Sequence, residues 1–341
     1  MGRLIFDEDH ADFRESVRRF LAAEVSPHLD EWRSSGGAPA ELYRALGEQG
    51  FLGTAVPEEL GGGGIEDPRF PAVLVEELSG IGALGIAQAV AGHAGVGVPA
   101  LLRLDPSQER DAWLSTAAAG EGLVVPMNLA GSVARSIPAG RRATCFVALT
   151  PGSEEAAVVT GEQAYVTPVA LLGGADAGAA DVEVAQDAAA YVRLPDALSV
   201  RRDLDLWSGV VAAAGARAAL ALATDYVRER KVFGRPIAEF ENTRCRLGEL
   251  GADLAAAGAL VDRALGALAD ATLDGPTAAA ATLVAGRVHD GAVDLGMQLH
   301  GGYGYMREYP IAWAFGDARF LRTRAATGRE PRHVLADAIG L

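Results

Sequence analysis

The sequence predicts a mainly α-helical protein with a small β domain set between two helical regions. Three observations carry that prediction. Apolar residues recur at three- and four-residue spacing over the first hundred or so positions. From about Gly120 the period shortens, and valine- and threonine-rich segments alternate with Pro, Gly and Asp. Beyond Arg201 long Ala/Leu stretches restore the helical pattern. Three domains are therefore expected, at 1–119, 120–196 and 197–341.

In the first region Phe13, Val17, Phe20, Leu21 and Val25 share a helical face, and Pro27 ends the run. A short helix over Ala40 to Gln49 carries Leu42 and Leu46, with Gly50 at its close. The glycines of VPEELGGGG (Val56 to Gly64) forbid regular structure. Helical patterns resume from about Pro71 and around Gln108 to Ala119. In the middle region LVVPM, TCFVALT, AAVVT, AYVTPVAL, DVEVA and AAYVRL read as strands of a small antiparallel domain closing near Pro195. In the last region helices are expected at about 208–231, 240–272, 276–301 and 309–321. They are apolar on more than one face, so they pack in a bundle or at a subunit interface.

Composition narrows the function classes. Thirty basic against forty-five acidic side chains leave a formal charge of -15, which argues against nucleic acid as a partner. Cys145 and Cys245 stand far apart with no CxxC and no His/Cys cluster, so neither zinc site nor disulfide is expected and a reducing cytosol fits. Acidic residues in MGRLIFDEDHADF stand where a signal peptide needs its apolar core. The charge-free stretch Gly80 to Leu102, mostly Ala and Gly, reads as too weakly hydrophobic to span a membrane. A soluble cytoplasmic protein without a metal is expected.

The glycine clusters GGGG (61–64) and GHAGVG (92–97) lack the preceding strand of a dinucleotide fingerprint and read as flexible loop or close helix packing. His289-Asp290 reads as a helix surface pair, because no further His, Asp or Glu stands at ligand spacing. Two segments carry more. RERKVFG (Arg228 to Gly234) puts a basic cluster at the end of an Ala/Leu/Val helix that Gly234 and Pro236 stop. It reads either as a basic last turn complementing the helix dipole or as an anion clamp, Arg230 holding a phosphate and Phe233 making a flat contact. QLHGGYGY (Gln298 to Tyr305) interrupts an apolar helix with three glycines, where backbone can approach a ligand or simply turn.

Taken together, the α–β–α order, GFLGTAVPEELGGGG, ERKVFGRP, QLHGGYGYMREYPI and the following Asp317-Ala318-Arg319 resemble the acyl-CoA dehydrogenase family over nearly the whole chain. The resemblance implies FAD as cofactor, oxidation of the Cα–Cβ bond of an acyl-CoA or acyl-carrier thioester, and a tetramer serving lipid metabolism with electron-transfer flavoprotein as a possible acceptor. It implies that Arg230 clamps the FAD pyrophosphate with Phe233 against the cofactor, and that Gln298, Gly301 and Gly302 contact the FAD of a neighbouring subunit. Ser132, in the flavin-loop remnant PMNLAGS (Pro126 to Ser132), and Thr327 complete the implied cofactor contacts.

The chemistry needs a carboxylate to take the proton beside the thioester carbonyl while hydride leaves the β-carbon. The family's usual glutamate falls on Ala325. The minority position falls on Leu204, next to Asp205. Asp205 reads first as an exposed turn aspartate and second as a base displaced by one residue. Glu330 matches no catalytic position. GEQAYVT (Gly161 to Thr167) is all that can correspond to the Gly-x-Lys-x-Trp motif, and 167–201 holds only about half the usual β structure. Three functions follow: an FAD-dependent acyl-CoA dehydrogenase; a non-catalytic partner subunit completing a heterotetramer with a related chain; or a flavin enzyme of the same fold with different chemistry.

Overall fold

The computed structural model describes residues 3–150, 155–185, 191–324 and 331–341. Helix α1 (Glu8–Glu24) opens on a capping box, Asp7 accepting from the His10 backbone N–H, and buries Val17 and Leu21. Then come α2 (Leu29–Ser35), α3 (Ala40–Glu48), α4 (Arg69–Gly80), α5 (Leu84–Gly92), α6 (Val98–Leu102) and α7 (Gln108–Ala118). The GHAGVG cluster is part of this helical run: His93–Gly97 makes one π turn between α5 and α6. Its glycines serve close packing. A methyl group on Gly95 would stand 2.2 Å from Cε2 of Trp207, so only glycine lets that indole in.

The middle region holds two sheets. One has the order β1 (Leu123–Asn128), β3 (Ala143–Leu149), β4 (Ala156–Thr160), β7 (Val192–Arg193); the other has β2 (Val133–Ile137), β6 (Ala180–Val184), β5 (Ala164–Pro168). Strand β1 runs parallel to β3, with Val124 opposite Cys145 and Asn128 opposite Leu149, so the expectation of a purely antiparallel domain is corrected. The reason lies in β2, which Arg135 and Ser136 hide in the sequence. It leaves β1 for the second sheet, and the chain returns through Gly140–Arg142 to enter β3 in the direction of β1.

The last region is α8 (Ala197–Glu229), a hairpin of β8 (Lys231–Val232) and β9 (Arg235–Pro236), α9 (Glu241–Ala269), α10 (Gly275–His300), α11 (Pro310–Arg324) and α12 (Pro331–Ala338). Helix α8 begins at Ala197 rather than near 208. Asp196 caps it by accepting from the Ser199 N–H, and the charges at Arg201, Arg202, Asp203 and Asp205 obscure its apolar period. Glu76 on α4, its side chain 8% exposed, is ion-paired with Arg3, Arg14 and Arg217, tying α1 and α4 to α8.

Two segments are long and apolar enough to cross a membrane by length and composition, Leu84–Leu102 and Ala197–Glu229, with mean hydropathy 1.3 and 1.5. For the first this corrects the sequence expectation. Both are core helices here, 94% and 67% buried over their most apolar stretch.

Candidate functional site

Strand β1 ends between α5 and α8, and the three elements enclose a small cavity of about 50 Å³. Pro126, Met127 and Asn128 form one wall, Gln88, Ala91 and Gly92 of α5 a second, and Leu204, Trp207, Ser208 and Val211 of α8 a third. The α8 residues recur at helical spacing, so one face of that helix supplies the wall. The Gln88 amide is buried, and neither its Nε2 nor its Oε1 has a hydrogen-bond partner among the described residues. A buried amide in that state calls for a ligand or water carrying both a donor and an acceptor. The sequence offered one faint signal, since Gln88 and His93 are the polar side chains of the charge-free stretch Gly80 to Leu102.

Through Ser208 and Leu321 this cavity adjoins a larger recess of about 590 Å³ between α8, α10, α11 and α12. Arg287, Arg322 and Arg332 stand on its lining. His289 also lines it and is 2% exposed, which corrects the reading of His289-Asp290 as a surface pair. The α10 face carrying His289 turns inward against Gly215 of α8, and burial pushes the imidazole down to about 4. Asp290 pairs instead with Arg319 and Arg322.

No aspartate or glutamate lines the small cavity among the described residues. Leu204 does. Asp205 is 5% exposed within α8, so the exposed-turn reading is corrected, and its charge lies near Arg201 rather than on the cavity lining. Ala325, Thr327 and Glu330 lie outside the described residues. Ser132 sits on the turn between β1 and β2, its carbonyl accepting from the Val184 N–H.

Arg230, Phe233, Gln298, Gly301 and Gly302 belong to the opposite end of α8 and α10. Helix α8 stops at Glu229 and Arg230 caps it, its own N–H donating to the Tyr226 carbonyl. The hairpin turns at Phe233 (φ 53) and Gly234 (φ 83), two successive left-handed residues that join β8 to β9. That conformation is unusual for phenylalanine, and it holds the ring out in solvent at 94% exposure. Tyr226 stacks on His300 at 3.8 Å, and the Arg230 guanidinium stands over the Tyr303 ring. The two segments the sequence singled out thus meet in space. Ser208 and Arg230 are 22 positions apart along α8, roughly 33 Å, so this end is remote from the cavity of its own chain.

The chain is thus a ligand-binding helix–sheet–helix protein by its architecture, with a cleft between β1, α5 and α8. The C-terminal domain profile of the acyl-CoA dehydrogenase family matches residues 206–329, and the N-terminal domain profile matches 7–121. The mitochondrial long-chain specific acyl-CoA dehydrogenase of Rattus norvegicus is 26% identical, over 99% of this chain and 88% of its own. Benzylmalonyl-CoA dehydrogenase of Aromatoleum aromaticum is 25% identical, over 98% of each chain. Among solved structures, the acyl-CoA dehydrogenase from Geobacillus kaustophilus shares the fold with a TM-score of 0.88 at 23% identity, over 100% of both chains. A glutaryl-CoA dehydrogenase from Mycobacterium smegmatis, in complex with FADH2, does so with a TM-score of 0.82 at 18% identity, over 98% and 95%. The chain belongs to the acyl-CoA dehydrogenase family. It is a flavin oxidoreductase of that type, and FAD is its cofactor.

Proposed function

We propose that the chain acts on an acyl-CoA thioester within an oligomer whose cofactor sites are shared between subunits, and that a related chain retaining a glutamate supplies the turnover. The observation that carries this reading is the separation along α8. Arg230 and Phe233 stand exposed roughly 33 Å from the cavity at Leu204 and Ser208, too far to serve a ring held there and well placed to reach a neighbour's cofactor.

The residues around the cavity fit a flavin. A narrow, mainly apolar slot with one unpartnered amide suits the edge of a heteroaromatic ring, and the adjoining arginine-lined recess suits a diphosphate. Gln88 would hold the ring edge, and Arg287, Arg322 and Arg332 the anionic part. When bound, FAD supplies the acceptor for the hydride leaving the β-carbon. The chain's own part is to orient the thioester and exclude water. With Leu204 at one carboxylate position of the family and Ala325 at the other, it does not move the α-proton.

The exposed Arg230 end fits any oligomer that shares its cofactor sites, and the carboxylate missing at 204 and 325 favours a heterotetramer. Electron-transfer flavoprotein as electron acceptor, a cytoplasmic location and a place in lipid metabolism complete the reading. The test is to purify the chain alone and together with a related glutamate-bearing chain, then measure flavin per chain and acyl-CoA oxidation with an artificial electron acceptor. Turnover appearing only in the mixture is the expected result. Full turnover by the isolated chain would overturn the reading that a related chain supplies the turnover.

A further inference from the structure

Beyond the small cavity lies a second, half-open chamber of about 310 Å³, lined by apolar Pro71, Pro99, Leu102 and Leu268 and, towards its charged side, by Glu66, Asp67, Arg103 and Asp203. Trp207 is the one residue, among those described, that lines both spaces. Its side chain is 1% exposed and the five-membered ring of its indole lies against Gly95, which lines the chamber and not the cavity. The indole Nε1–H has no hydrogen-bond partner among the described residues, and neither has Nη1 of Arg103. The indole therefore stands as a partition between the two spaces, its unpartnered donor buried against Gly95.

The register of α8 says what meets that wall. Leu204 stands where a minority of the family carries its base, beside the carbons to be oxidised. Trp207 follows three residues later on the same helical face, one turn on. An acyl group with its α-carbon near Leu204 therefore runs into the indole within a few carbons. We propose that Trp207 sets the acyl length this chain accepts: it restricts the group to short chains, and the chamber behind it is the space a longer chain would occupy. This rests on the acyl-CoA reading given above.

The test uses the FAD-loaded full chain and reads binding rather than turnover, by calorimetric titration with butyryl-CoA and octanoyl-CoA. Wild type is expected to bind the butyryl thioester at least about tenfold more tightly. Four methylenes moved fully out of water gain on the order of 10²-fold in affinity. The chamber's lining is part polar, so Trp207→Leu and Trp207→Ala should shift the octanoyl-to-butyryl ratio by about tenfold or more, the alanine variant further. The leucine variant keeps most of the core contact, and flavin content with the circular dichroism spectrum reports whether each variant is folded.

Equal binding of both thioesters by wild type, or an unchanged ratio in the folded variants, would overturn the role of Trp207 and leave the acyl-CoA reading intact. If no acyl-CoA of either length bound to wild type or variants, the acyl-CoA reading would fall, and this inference with it.

Discussion

The guanidinium of Arg230 stands 5.6 Å from the centre of the Tyr303 ring, although the two are 73 positions apart in the chain. The contact joins the end of α8 to the turn after α10, and with the Tyr226–His300 stack it fixes Arg230 at a surface rich in exposed rings. A guanidinium held over a ring keeps its in-plane donors free for an anion.

Arg230→Ala is therefore expected to lose flavin from the assembled protein while the fold persists. Charge-assisted hydrogen bonds to a diphosphate are worth about 1.5–3 kcal/mol each, so flavin affinity should fall by at least about tenfold. Absorbance of bound flavin per chain, beside an unchanged circular dichroism spectrum, checks this. Full flavin occupancy in the variant would reduce the basic turn to a helix end.

Phe233 and Tyr305 are 94% and 89% exposed on this same surface, where isolated chains pay for apolar area in water. Phe233→Asp should weaken subunit assembly, because a carboxylate would have to be desolvated in the contact. Sedimentation velocity should show a lighter species at micromolar concentration. A monomeric wild-type chain with bound FAD would contradict the shared-site reading.

Leu204→Glu places a carboxylate on the cavity wall, where burial will raise its pKa toward that of a useful base. Acyl-CoA dehydrogenation by the FAD-loaded chain is expected to rise by about 10²–10⁴-fold over wild type. Asp205→Asn should leave turnover unchanged and cost stability, since Asp205 is buried near Arg201 and lines no part of the cavity. Wild-type turnover that vanishes in Asp205→Asn would make Asp205 the base after all.

Asp317 on α11 is buried, and its carboxyl is pushed up to about 7 by burial and then by the neighbouring Asp176. Burial raises Asp176 as well. Between the ordinary carboxylate value, 3.8, and about 7 the folded state binds more protons than the unfolded state. Stability from this group is fully present below 3.8 and is lost as pH rises through about 7. Asp317→Asn keeps an acceptor for the Gly174 N–H, now 2.6 Å away, and removes the charge that stands near Asp176. The variant should be more stable than wild type at pH 8, by on the order of 2 kcal/mol, and equal to it near pH 4. Thermal melts across that range decide it; a lower melting temperature at pH 8 would reject the account.

Much of this was legible before any coordinates. The helix over Glu8–Glu24 announces itself through Val17 and Leu21, and Gln108–Ala118 through its boundaries, because local periodicity and caps are properties of neighbouring residues. The motifs at Arg230 and Gln298 were visible for the same reason, as were the absence of glutamate at 204 and 325 and the acidic charge balance.

The sequence by itself determined the α–β–α order, the apolar faces and the segments, at Arg230 and Gln298, that carry the family resemblance. Only the tertiary structure decided which of them meet. It turned β1 and β3 parallel, because the return path depends on where β2 pairs, and strand pairing is non-local. It buried His289 and Asp205, whose environment is set by helices far away in the chain. It brought Gln88, Met127 and Trp207 around one space, three residues with no common spacing and no shared motif. Periodicity records which side of an element faces inward; what stands opposite depends on packing between distant segments.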